Sequence, residues 1–335
     1  MGRGGSRDRP GPTMRSGGLV YCDGTQWSSP VSFDGRLGME SRYVEVFRGH
    51  FGPLEPIPTD EPPKLGKIEG IRAVLFDLYG TLLVSASGEV GTAGAASDRA
   101  LEESLAAVGI RATGPVGDGV EMLFEVIRAR HAELRARGVD YPEVDICAMW
   151  RRVLERLHGQ GRIEAGDPGA VDLKRLAVEY EARANPCWPM PRLEACLGRL
   201  AGAGLLLGIV SNAQFYTRLL FPALLGEPIE RRGFDAGLLF FSYEHGHAKP
   251  GAVLYERAAA ELRDRGVEPR EVLYVGNDML NDVLPAREAG FCTALFAGDR
   301  RSLRLREGDP RLEGVAPDLV LSDLGQLAGC VLGGA

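Results

Sequence analysis

Apolar residues along this chain fall into two patterns, and the alternation between them is the main structural signal. Short aliphatic runs at 71–77, Leu205–Val210, Leu238–Phe241, Val272–Val275, Cys292–Phe296 and Leu319–Leu321 show no polar alternation. They read as strands buried on both faces. Between them Pro191–Ala203, Ala213–Leu225, Ala252–Arg263 and Leu280–Ala289 place apolar residues at helical spacing, and a last helix runs to about Cys330. Strands alternating with helices predict βα units around a parallel sheet.

The alternation is interrupted after the first strand. Ser85 to Ala96 is rich in Gly, Ala and Ser and suits a flexible hinge. Four helical patterns follow, at Ser97–Val108, Asp118–Arg137, Pro142–His158 and Pro168–Ala184. In the second, Asp118 and Glu121 suggest a capping box, and Pro142 suits the first turn of the third. Residues 87–189 therefore read as an inserted helical cap, with an α/β core built from 71–86 and 190–330. Residues 1–68, rich in Gly, Pro, Ser and Arg, read as an extended or disordered leader without core, in which Met14 and Met39 are alternative starts.

Composition narrows the class. A chain of 335 residues with 44% hydrophobic content can bury a large core. The net charge of -7 comes without a basic stripe or polybasic patch, so neither nucleic acid nor a membrane surface is an expected partner. Six scattered cysteines form no CxxC pair and suit free thiols. With no apolar h-region and no long apolar span, the expected location is the cytoplasm.

Polar clusters at the ends of the strand runs carry the chemistry. Asp77 ends the first run and enters a turn with Gly80 and Thr81. Ser211-Asn212 follows the second, Lys249-Pro250 the third, and Gly276-Asn277-Asp278 with Asn281-Asp282 the fourth. Each has a structural explanation as a turn or cap residue. Together they would meet at the carboxyl edge of one sheet, where open α/β proteins bind ligands. A carboxylate nucleophile needs nearby cations and hydrogen-bond donors, and this set supplies both.

In these four clusters the chain resembles the haloacid dehalogenase-like hydrolases, over roughly residues 71–330. The resemblance implies a Rossmann-like, doubly wound core with an all-helical cap. It makes Asp77 the covalent nucleophile, with Ser211, Lys249 and Asp282 completing the catalytic set and Thr81 and Asn212 at the substrate. It also implies Mg²⁺ held by Asp77, the carbonyl of Tyr79, and Asp278 or Asn277. The fourth cluster departs from the usual form, because Asn277 stands where its first acid is expected. Tyr79 stands where phosphatases of this family carry a second aspartate that protonates the leaving group, and a phenol is a poor acid at neutral pH. His247 is the first substitute acid; Arg128, Arg130, His131, Trp150 and Arg151 are cap residues that could reach substrate.

The favoured expectation is Mg²⁺-dependent hydrolysis of a small phosphate ester. The same tyrosine is typical of metal-independent 2-haloacid dehalogenases, which makes dehalogenation the rival, with a catalytically silent binding protein third. Against the rival stand Asp278 and Asp282, because two carboxylates without a metal would repel an anionic substrate.

Overall fold

The computed structural model describes Met1 and residues 37–87, 96–164 and 171–332; residues 39–335 form one compact unit. Its centre is a six-stranded parallel sheet of β1 (Ala73–Phe76), β2 (Leu206–Ser211), β3 (Phe234–Phe241), β4 (Val272–Gly276), β5 (Cys292–Phe296) and β6 (Leu319–Leu321), in the order β6-β5-β4-β1-β2-β3. The apolar runs lack alternation because both faces are covered. Val74 and Phe76 enter one core cluster, with the Leu193–Gly202 helix, whereas Ala73 and Leu75 enter another, with the Val253–Asp264 helix. Successive side chains of a strand point to opposite faces, so each cluster takes alternate residues.

The order places β1 between β2 and β4. The strand order therefore reverses direction beside β1, at the kind of crevice where open α/β sheets bind ligands.

Helices Ala96–Ala107, Gly119–Ala136, Ile146–Gly159 and Leu173–Ala184 lie in the chain between β1 and β2 and pack on one another. The insertion leaves and returns through an antiparallel pair, Leu83–Ser85 with Cys187–Pro189. Ser85 is thus paired strand rather than the start of a loop; the rest of the expected connector, 88–95, lies outside the described residues. The second inserted helix starts from its N-cap Asp118 as expected but without the expected capping box, and the third starts later than expected. Asp118 makes no cap bond and instead pairs with Arg162, and the third inserted helix begins after Asp145, whose side chain caps Cys147 N. Pro142 lies before that helix, in a backbone bridge to His247.

The expectation that residues 1–68 hold no core is also corrected for the described part. Leu37–His50 is a helix, with Tyr43, Val44 and Phe47 buried in the main core cluster. Apolar residues spaced three and four apart form a stripe on a helix, and here it outweighs the flanking Gly and Pro. Further on, Lys64 pairs with Val320 of β6. The leader's remaining residues, 2–36, and Met14 with them, lie outside the described residues.

Cys147, Cys187, Cys196, Cys292 and Cys330 are unpaired thiols, and Cys22 lies outside the described residues. Among the described residues no helix is long and apolar enough to cross a membrane.

Candidate active site

Asp77 follows β1 directly, and its backbone N–H still bonds to Val275 of β4. The chain then turns sharply through Gly80, whose φ is +81°. A side chain there would collide with Ser302 and Asn277, so only glycine allows the fourth cluster to pack against this turn.

β2 ends in Ser211, whose hydroxyl donates to Asp77 Oδ1 at 2.7 Å. Lys249 arrives from the loop after β3. Its Nζ lies 2.8 Å from Asp77 Oδ1, 2.6 Å from Asp282 Oδ1 and 3.2 Å from the Tyr274 hydroxyl. All three charged side chains are buried. Such a triplet is held by mutual attraction and would be costly if any member were left alone. Burial alone would lower the lysine's pKa, but Asp282 and Asp77 outweigh it and raise it. Burial pushes Asp282 up to about 6, partly countered by Lys249 and helped by Asp77.

Asp282 reaches Lys249 because the segment after β4 is wound wide. Met279–Val283 is a π-helical turn, a local form common at functional sites. It lets Asp282 Oδ2 accept the Asp278 N–H at 2.9 Å. Gly276 completes this geometry, since any Cβ there would collide with the Asp282 carboxyl group.

The structure brings Asp77, Ser211, Lys249 and Asp282 into one bonded cluster. The side chains of other expected site residues are hydrogen-bonded within the protein. Asn212 braces the lysine loop: its Oδ1 accepts Lys249 N–H at 2.7 Å and its Nδ2 donates to the Lys249 carbonyl. Thr81 is fully buried and donates to Asn277 Oδ1 at 3.1 Å, while Asn277 Nδ2 donates to the Ser302 carbonyl. Both side chains are spent within the fold rather than presented to a substrate.

Asp278 is the sharpest departure from expectation. Its Oδ1 accepts the N–H groups of Leu280 and Asn281, its Oδ2 accepts Asn281 Nδ2, and Arg306 Nη2 lies 2.6 Å from Oδ2. A carboxylate has about four lone-pair sites, and these donors occupy them. With Asn277 committed to Thr81 and Ser302, the donor set that the resemblance implied for Mg²⁺ shrinks to Asp77 and the Tyr79 carbonyl. The residues present therefore do not fit a divalent ion in the way expected. Among the described residues no cluster of three or more acidic, His or Cys side chains could hold a metal.

Tyr79 is turned into the protein, its hydroxyl 3.0 Å from Thr217 Oγ1. Burial holds its phenol well above the usual range, with Glu181 and Cys187 adding to the effect. Nearby, Glu181 of the inserted helices accepts from the Tyr216 hydroxyl and from Asn185 Nδ2, each at 3.0 Å, and burial raises its carboxyl pKa. His247 is positioned by its bridge to Pro142. Among the cap candidates, Trp150 is core, edge-on to Tyr180, while Arg128 and Arg130 pair with Glu121 and Glu133.

Sequence reasoning missed Glu143, Glu181 and Arg306. Glu143 is the clearest link between the insertion and the site loops. It accepts from Ser242 Oγ at 2.6 Å and from Gln214 Nε2 at 3.1 Å, and Tyr141 accepts Ala248 N–H. Its only sequence signal is a charged residue just after Pro142, which also fits a surface turn.

Comparison with known proteins identifies the family and the fold. The haloacid dehalogenase-like hydrolase family matches residues 71–290. Phosphoglycolate phosphatase of Escherichia coli O157:H7 is 28% identical over 242 residues, 68% of this chain and 81% of the relative. Its counterpart in Shigella boydii serotype 4 is 29% identical over the same length. A 2-haloacid dehalogenase from Pseudomonas syringae pv. Tomato DC3000 shares the fold, with a TM-score of 0.52 at 22% identity over 78% of this chain and 97% of that one.

Proposed function

Because this chain belongs to the haloacid dehalogenase-like hydrolases, we propose that it hydrolyses a small substrate by carboxylate displacement at carbon, without a metal, as a 2-haloacid dehalogenase does. The observation that carries the reading is Tyr79. It stands in the leaving-group acid's position, yet its hydroxyl is tied to Thr217 and its phenol is pushed away from neutral pH. A halide leaves as a weak base and needs no proton, whereas an alkoxide leaving from phosphorus gains about 10²–10⁴ in rate from an acid.

The charge argument against dehalogenation loses its force here. Asp282 has Lys249 and Asp278 has Arg306, so neither is a bare carboxylate facing an anion. With Oδ1 of Asp77 held by Ser211 and Lys249, Oδ2 is the attacking atom. Its bond to carbon forms as the carbon–halogen bond breaks, and the halide leaves with the electron pair. Water then adds to the acyl carbon of Asp77 and the acyl C–O bond breaks; one proton of that water passes to the departing oxygen, releasing a 2-hydroxy acid, and the other passes to solvent as the carboxylate is restored. Before attack one ammonium faces two carboxylates; after it, Lys249 and Asp282 balance. Loss of that repulsion favours the covalent ester. In this reading residues 87–189 act as a cap that covers Asp77 and excludes bulk water.

The second reading is phosphate-ester hydrolysis, favoured by the phosphoglycolate phosphatases among the relatives. Incubation with 2-chloropropionate and with an aryl phosphate, each with Mg²⁺ and with chelator, separates the two. Chloride release insensitive to chelator is expected. Phosphate release that requires Mg²⁺, with no chloride release, overturns the first reading and establishes the second.

A further inference from the structure

We propose that Arg306 is the resident cation of the fourth cluster, filling the charge role at Asp278 that a divalent ion would otherwise take. The inference deepens the metal-independent reading above and rests on it. It starts from how the arginine is held. The backbone around it is stitched to the fourth cluster on both sides: Arg304 N–H donates to the Asn277 carbonyl and Met279 N–H donates to the Arg304 carbonyl, each at 2.9 Å. Asn277 Nδ2 adds a bond to the Ser302 carbonyl at 2.6 Å. Arg306 itself takes a φ of +55°, an unfavourable conformation for a side-chain-bearing residue that persists only where surrounding structure enforces it.

From that position the guanidinium meets the carboxylate with two nitrogens. Nε lies 3.3 Å from Oδ1 and 3.2 Å from Oδ2, and Nη2 lies 2.6 Å from Oδ2. Fork-like contacts of this kind are the strong form of the Arg–carboxylate pair. The Asp278 side chain is 8% exposed and that of Arg306 30% exposed, so the pair is partly shielded from screening. A hydrated divalent ion would have to displace the guanidinium and then sit beside its positive charge, which Coulomb repulsion opposes.

Arg306 thus acts on Asp278 and not on substrate, as a positioning residue that keeps the β4 edge charge-balanced and closed to metal. The test reads metal binding directly, by electron paramagnetic resonance titration of the full chain with Mn²⁺. The wild type should show no stoichiometric site below about 1 mM, since one carboxylate already bonded to Lys249 and one carbonyl make a poor oxygen-donor set. Arg306→Ala should gain one site per chain, tighter by at least about tenfold, a gain that Asp278→Asn removes in the double variant. Arg306→Lys, which keeps the charge, should stay closed, and circular dichroism checks that each variant folds. Tight Mn²⁺ binding by the wild type overturns the proposal, and so does an Arg306→Ala protein that folds but gains no site. Should Arg306→Ala fail to fold, Arg306→Gln carries the same two outcomes. None of these readouts depends on turnover, so loss of the dehalogenase reading in the substrate assay stays distinguishable from failure here.

Discussion

Two neighbouring regions at the end of β1 are built on opposite principles. Around Lys249, two carboxylates and an ammonium are bonded to one another and largely shielded from water. Around Tyr79, the groups are Thr217, Tyr216 and Glu181, bonded through hydroxyls and an amide, and burial raises the pKa of Tyr79, Tyr216 and Glu181 alike. Asp282 and Glu181 are both acids whose pKa is raised by desolvation. Asp282 lies 2.6 Å from an ammonium, whereas Glu181 is served by neutral donors. The fixed cation decides which region can carry a reactive anion. In the other, the described bonds to Glu181 come from a hydroxyl and an amide, and the raised phenol of Tyr79 offers a departing group no ready proton.

The contrast breaks most visibly at the nucleophile. Asp77→Asn should lower turnover by at least about 10⁴, near 5 kcal/mol of barrier, because a neutral amide cannot form the ester; chloride release from 2-chloropropionate measures it, and retention of a few per cent of activity would contradict the covalent role. Lys249→Met should cost about 3–5 kcal/mol of folding stability, since it leaves two buried carboxylates without their cation. Urea denaturation at pH 7 reads that loss, and it should shrink at pH 5 as Asp282, raised to about 6, takes up its proton.

On the neutral side the effects are smaller and depend on pH. The folded pKa of Glu181 lies above its ordinary value of 4.5. Its stabilising contribution is therefore complete below that value and is lost as pH rises through the folded one. Glu181→Gln can still accept from Asn185, with its amide nitrogen donating to the Tyr216 oxygen, and should remove this decline, giving a flatter stability profile above pH 4.5. An unchanged slope would mean that Glu181 does not carry it. Smallest of all, Tyr79→Phe should cost about 1 kcal/mol for the lost Thr217 bond. It should change the rate by less than about threefold, and a collapse in rate would return Tyr79 to the acid's role.

Much of this site was legible in sequence because its residues sit where buried strands end. The run Cys292–Phe296 and the last strand, Leu319–Leu321, appear with the expected limits, since an apolar run between turn residues has few alternatives. Asp77, Ser211, Lys249 and Asp282 each follow such a run, and topology brought them together. Where polar residues interrupt a strand, the pattern fell short: β3 begins at Phe234, four residues before the apolar run, because Asp235 and Gly237 break it. The π-turn at Met279–Val283 left no periodic trace, since a single extra residue in one turn shifts no window. Arg306 was invisible for another reason. It lies 28 residues beyond Asp278 in a loop of several arginines, and only the backbone bridge through Arg304 singles it out.

The pairing of Leu83–Ser85 with Cys187–Pro189 gives the molecule a narrow neck. The insertion's backbone enters and leaves through two strands that run side by side, with Ser85 opposite Cys187. A tight two-residue turn could join them directly, so a shortened chain could keep the whole sheet while losing the inserted helices. The same neck is a splice point at which helices from another protein could be installed above an unaltered Asp77.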